Sequence, residues 1–300
     1  MKILWFCNTP CLASDKLSPD HVIGGWLYSL NEQLINYEHI ELSVCFYFNQ
    51  DLEPFEYRKT TYFPIFRNAE SSLFKKIKNR IAIKPIDNKE VSKLLSVVNI
   101  VKPDIIHIHG TEDNFGLIQS CVNTPLVLSV QGILSPIHEK YFSGVPGSKA
   151  NRFEEIRSKL FLLSFNRAYR RLNYKTQREQ RILANTKHII GRTDWDKRVS
   201  RILAPKSQYY VVNEILRSEF YNVSWNKTSF DEPLMLISTT SDNIYKGFET
   251  IVKTALVLTE HSDIKFTWNV IGLSENSNTV KLVKRWLRVD FAELNIKFLG

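Results

Sequence analysis

Three hundred residues, 43% hydrophobic and 24% charged, are ordinary for a globular chain and enough for one large domain or two smaller ones. No stretch approaches the roughly 18 to 20 consecutive apolar residues that span a bilayer, and the apolar opening Lys2–Cys7 runs into Asn8 and Pro10, too short for a secretory signal. The four cysteines, Cys7, Cys11, Cys45 and Cys121, have no His or Cys companions at zinc-like spacing, so reduced thiols, a cytosolic chain and no metal are expected. The formal net charge of +9 is confined to one segment: 14 Lys/Arg face five Asp/Glu between Arg152 and Arg201, and the two signs balance elsewhere. A local basic surface suits an anionic partner, whether phospholipid headgroups, a lipid diphosphate, a nucleotide or nucleic acid.

In chain order, short apolar runs predict strands at Lys2–Cys7, Glu41–Tyr47, Asp104–His109, Leu126–Val130, His188–Gly191 and Tyr209–Val212. Helical periodicity predicts helices at Gly25–Asn36, Asn88–Val101, Asn151–Ala184 and Asp194–Leu203. Strand and helix in alternation specify an α/β fold with a doubly wound, mainly parallel sheet. Residues 213–233 lack a sustained period and read as an interdomain linker. The alternation then restarts with strands Leu234–Ser238, Phe266–Ile271 and Ile296–Leu299 and helices Lys246–Glu260 and Thr279–Val289. The expected organisation is a first Rossmann-like domain over 1–212 and part of a second over 234–300.

Chemistry-bearing residues recur where strands give way to helices. Gly24-Gly25 precede the first helix, where glycine lets backbone amides approach a phosphate or simply serves a turn; G-x-G-x-x-G is absent, which counts against a nicotinamide or flavin enzyme. In Asp104-Ile-Ile-His-Ile-His109 the two histidines share a face. His109, at the carboxyl end, reads as a hydrogen-bond partner for a substrate hydroxyl or as a histidine satisfied by a neighbour; His107, deeper in, reads as the latter. Gln131-Gly132 and Arg192 close the next strands at the same rim. Gln131 suits a sugar hydroxyl or a turn cap, Arg192 a phosphate or a surface charge cluster, and Thr193 or Asp194 a helix cap. Lys246-Gly247 opens the first helix of the second unit, an arrangement that neutralises a diphosphate. The stretch Arg152–Arg181, apolar at Leu160–Leu163 and Phe165 among arginines, reads as a core-packing helix or as a membrane-surface helix.

Taken in order, the Gly-Gly loop, Asp104–His109, Val130-Gln-Gly-Ile, Ile190-Gly-Arg-Thr-Asp-Trp-Asp196, Asn213–Tyr221 and Lys246-Gly-Phe resemble glycosyltransferase family 4 of the GT-B fold, in a bacterial branch associated with cell-surface polysaccharide synthesis. The resemblance implies a retaining transfer of sugar from a nucleotide-diphosphate donor to a saccharide or lipid-linked acceptor, with no cofactor beyond that co-substrate and no structural need for metal. It implies that Gly24 and Gly25 line the donor diphosphate, that His109 contacts the sugar and that Lys246 stabilises the departing phosphate, with Gln131, Gly132, Arg192 and Gly247 as further binding positions. Two departures stand out. The Gly-Arg pair of many relatives is replaced by Ile237-Ser-Thr-Thr-Ser241, and no two glutamates stand in the family's E-x7-E spacing. The second departure raises an alternative: a truncated, inactive fragment that only binds an acceptor or partner. A nucleic-acid-binding protein is a third reading, disfavoured because the basic segment has no aromatic stacking motif. The expected location is cytoplasmic, with a peripheral place on the inner face of the plasma membrane, through residues 152–201, left open.

Overall fold

The first strand, β1 (Lys2–Cys7), is buried from Leu4 onward, as a central parallel strand covered on both faces must be. The computed structural model describes residues 1–17, 25–67, 88–224, 226, 229 and 233–300. It divides into two units, one of Met1–Ser135 with Tyr174–Ser224 and one of Pro136–Asn173 with Trp225–Gly300.

In the first unit β1 pairs in parallel with β2 (Glu41–Phe48) on one side and β5 (Ile105–His109) on the other. The sheet has eight strands in the order β3-β4-β2-β1-β5-β6-β7-β8. Its remaining members are β3 (Phe55–Tyr57), β4 (Thr60–Phe66), β6 (Leu126–Ser129), β7 (His188–Gly191) and β8 (Gln208–Val211). Among the described strands only β3 runs antiparallel to its neighbour. Alternation along β1 sends Leu4 and Phe6 into one core layer, with Ile106, Ile108, Leu128 and the helix residues Leu94 and Ile182. Trp5 and Cys7 enter the opposite layer with Val44, Phe46, Tyr62 and Leu27. Each fully buried Leu, Ile or Phe in these layers contributes roughly 1.5–3 kcal/mol.

Helices of this unit are α1 (Ser14–Leu17), α2 (Trp26–Leu34), α3 (Asn88–Val101), the carboxyl part of a 21-residue helix (Phe165–Asn185), one at Asp194–Leu203 and a single turn at Glu219–Asn222. With α4 (Leu134–Glu139), α5 (Gly147–Phe153) and α6 (Ile156–Leu160) intervening, the last three are α7, α8 and α9. The expected continuous helix over 151–184 is therefore broken. Leu162 takes a left-handed conformation, φ 59°, between α6 and α7.

The second unit carries a parallel three-stranded sheet, β11-β10-β9, from β9 (Leu234–Thr239), β10 (Phe266–Ile271) and β11 (Ile296–Phe298). Helices α10 (Phe248–His261) and α11 (Asn278–Leu287) pack on it. Residues 136–173 were expected within a first domain ending at 212. They lie in this unit instead because Tyr141, Val145, Ala150 and Phe165 join its core beside Phe248, Val252 and Val270. Gly272 follows β10 at φ 86°, and a Cβ there would stand 2.3 Å from the Thr240 carbonyl oxygen, so only glycine fits this approach of two strand ends.

Candidate functional site

The strand order of the first unit turns back at β1, with β2 on one side and β5 on the other. The carboxyl ends of β1 and β5 thus flank the place where doubly wound sheets hold ligands. β5 delivers both histidines to one face, their ring centroids 3.8 Å apart. His109 is 2% exposed, with Trp5 at 4.8 Å and Trp26 at 5.4 Å between ring centroids. Neither of its ring nitrogens has a hydrogen-bond partner among the described residues. Burial, with a smaller contribution from His107, holds its pKa well below the usual imidazole value. His107 shares a 2.7 Å hydrogen bond between Nε2 and Ser129 Oγ, and burial pushes its pKa down to about 4. His107, Ser129, Trp26, Arg192 and Glu214 line a cavity of ≈ 70 Å³ at this rim. The histidine on its wall is thus His107, read from sequence as the structural one, with the indole of Trp26 against His109.

Both imidazoles are neutral in the folded state at physiological pH. Because their folded pKa values lie below the unfolded value of about 6.5, the stability they permit is complete above pH 6.5 and declines as pH falls toward 4. Thermal melts across that window are expected to show Tm falling with pH, and His109→Phe is expected to flatten the slope. An unchanged slope in that variant would place the acid sensitivity elsewhere.

Gln131 and Arg192 meet at the rim: Arg192 Nη2 donates to the Gln131 carbonyl oxygen at 3.1 Å. Arg192 Nη1 also pairs with Glu214 Oε2 at 2.6 Å, so an incoming anion competes with that carboxylate. The Gln131 amide nitrogen is buried without a partner among the described residues. Thr193 caps α8 and Asp196 closes the capping box, accepting from Thr193 N at 3.1 Å. Gly25 is the extended N-cap of α2, and nothing lies within 4 Å of a Cβ built there or at Gly132, so both leave open space. Gly24 lies outside the described residues.

One side chain organises the loops of this rim. Glu179 of α7, 0% exposed, accepts hydrogen bonds from Leu134 N and Ser135 N at 2.8 Å, from Ser135 Oγ at 2.9 Å and from Thr111 Oγ1 at 2.5 Å. It ties the loop after β5 to the segment after β6. The adjacent Arg178 donates to the Glu112 carbonyl and to Asn114 Oδ1. Sequence reading missed Glu179, Ser129 and Trp26; of the three, only Trp26, next to the Gly-Gly pair, carries a sequence signal.

In the second unit the carboxyl end of β9 leads through Ile244–Lys246 to Gly247, φ 78°, and so to the N-terminus of the 14-residue α10. Lys246 is exposed, with its Nζ 5.7 Å from the Tyr245 ring centroid and no carboxylate within ion-pair distance among the described residues. A helix N-terminus preceded by an unpaired cation favours a bound anion. Asp242 occupies the neighbouring helix start, accepting from Asn278 N at 3.0 Å and Thr279 N at 2.8 Å. Among the described residues no group of three or more His, Cys, Asp or Glu has a metal-binding arrangement.

Rossmann-like sheets of mainly parallel strands in both units make this an α/β protein of the GT-B type of fold. No protein-family model matches the sequence, and no curated protein matches it. Solved structures do. A sucrose-phosphate synthase from Thermosynechococcus elongatus is similar over 100% of this chain and 70% of its own, with a TM-score of 0.58 and 13% identity. The N-terminal domain of a trehalose-6-phosphate phosphatase from Candida albicans is similar over 99% of this chain and 71% of its own, with a TM-score of 0.53 and 9% identity. At these identities the likeness is one of fold.

Proposed function

We propose that this chain is a cytoplasmic family 4 glycosyltransferase that moves a sugar from a nucleotide-diphosphate donor to a saccharide or lipid-linked acceptor, with retained configuration, in cell-surface polysaccharide or glycolipid synthesis. The observation that carries the proposal is the exposed Lys246, without a carboxylate partner among the described residues, beside left-handed Gly247 at the start of α10. That arrangement matches the leaving group: breaking the bond between sugar and diphosphate builds negative charge on phosphate oxygens, and a fixed cation with helix amides lowers that barrier. The GT-B type fold and the order of the sequence motifs support the same reading. Gly24 and Gly25 are proposed at the diphosphate, and Gln131, Gly132 and Arg192 at the sugars. His109 is proposed near the reacting carbon, where its neutral ring can hydrogen-bond a hydroxyl once a ligand displaces the Trp26 contact.

The test is release of free nucleoside diphosphate from a panel of uridine-, guanosine- and adenosine-diphosphate sugars. Turnover of at least one donor above the protein-free rate is expected. No turnover with any donor, together with no binding of the free nucleoside diphosphates, would falsify the assignment.

A further inference from the structure

The chain leaves an apolar tip exposed where α6 turns into α7. Ile156 and Leu160 stand four residues apart on α6 and are each 74% exposed; Phe161 and Leu163, in the turn that follows, are 54% and 49% exposed. The opposite side of α6 is anchored by buried Ser158, whose Oγ donates to Asn278 Oδ1 at 3.4 Å. The exposed side is thus held outward by packing. The base of the turn is pinned as well, since Phe165 N donates to Glu154 Oε1 at 2.7 Å.

Charge around this apolar tip is one-sided. Residues 149–173 contain seven Lys/Arg and two carboxylates, Glu154 and Glu155. Both carboxylates are engaged: Glu154 is buried against Phe165 N, and Glu155, at the surface, pairs with Arg285 at 2.9 Å and Lys281 at 3.7 Å, which hold its carboxyl below its usual range. Arg152, Arg157 and Lys159 remain exposed beside the tip. A second copy of this face would set cations against cations. An anionic bilayer satisfies both halves, with headgroups for the cations and the acyl boundary for the four apolar side chains.

We propose that the α6 turn, residues 156–163, is a docking surface for an anionic lipid bilayer. Applied to the acceptor, this places the acceptor among membrane lipids and so rests on the transferase reading; the surface itself does not, and its test needs no sugar donor. The full chain is sedimented with vesicles of phosphatidylcholine alone and of phosphatidylcholine with 30 mol% phosphatidylglycerol. Binding to the anionic vesicles is expected to exceed that to neutral ones by about tenfold or more and to weaken in 0.5 M salt. The variants L160E/F161E and R157E/K159E change exposed residues only and are expected to keep the wild-type melting temperature while losing that binding. Equal binding to both vesicle types, or wild-type binding by both variants, overturns the proposal. So does concentration-dependent self-association abolished by L160E/F161E, which would make the face an interface between copies. Donor turnover with no vesicle binding removes the docking surface and leaves the transferase; vesicle binding with no turnover does the reverse.

Discussion

Lys246→Ala is expected to lower donor turnover by about 10²- to 10³-fold, the usual loss when one preorganised group facing developing negative charge is removed. The side chain is exposed and has no carboxylate partner among the described residues, so its removal breaks no ion pair there and leaves no buried group unsatisfied. The melting temperature should therefore stay within about 1–2 °C of wild type, as for surface substitutions generally. Lys246→Arg keeps the charge but replaces a compact ammonium with a planar fork, and partial recovery of kcat is expected. If the charge acts mainly as the diphosphate departs, kcat falls with little change in KM; if it acts equally on bound donor, KM rises with kcat unchanged. Wild-type kinetics in Lys246→Ala would remove this residue from the site.

The largest loss of stability is expected from Glu179→Ala. Its carboxylate accepts from two backbone amides and two hydroxyls in a fully buried position, and truncation strands these donors. Removing one partner of a buried charged network costs on the order of 3–5 kcal/mol, a large fraction of the roughly 5–15 kcal/mol that holds a domain together. Glu179→Gln keeps the shape and one acceptor oxygen but turns its other terminus into a donor facing donors, so an intermediate loss is expected. Denaturant unfolding of the three proteins decides the matter. Near-equal midpoints would show that water replaces the carboxylate and that the rim loops hold without it.

The central strands were legible as short, mainly apolar runs between turn residues, most clearly in β1, which is buried from Leu4 onward, while β5 carries its two histidines and β10 Thr267 and Asn269 within the run. The hairpin β3–β4 was not. β3 has three residues, and Pro64 inside β4 speaks against a strand unless it lies toward a sheet edge, where β4 does lie. The α6–α7 break has no glycine or proline to announce it, since Leu162 adopts the left-handed conformation. The return of residues 136–173 to the second unit was equally hidden: local periodicity reports which side of a helix is apolar, not which core receives it. At the candidate site, the Thr193 cap and the rim position of Arg192 were legible from the strand-to-helix turn. The Glu214 partner that engages Arg192 lies on a separate segment, and the burial of His109 by Trp26 depends on where α2 docks on the sheet.

The division of the second unit into two chain segments also sets a schedule for synthesis. Tyr141, Val145 and Phe165 leave the ribosome well before the partners that cover them, Phe248, Val252 and Val270. Roughly 80 residues separate Phe165 from Phe248, so at roughly 5–20 residues per second Phe165 waits at least about 4–16 s for the first of these partners, and Tyr141 and Val145 wait longer. Closing so long a loop carries an entropic cost that grows only slowly with its length. The vulnerability is therefore one of time. The nascent chain passes through that interval before the core partners of Tyr141 and Phe165 exist.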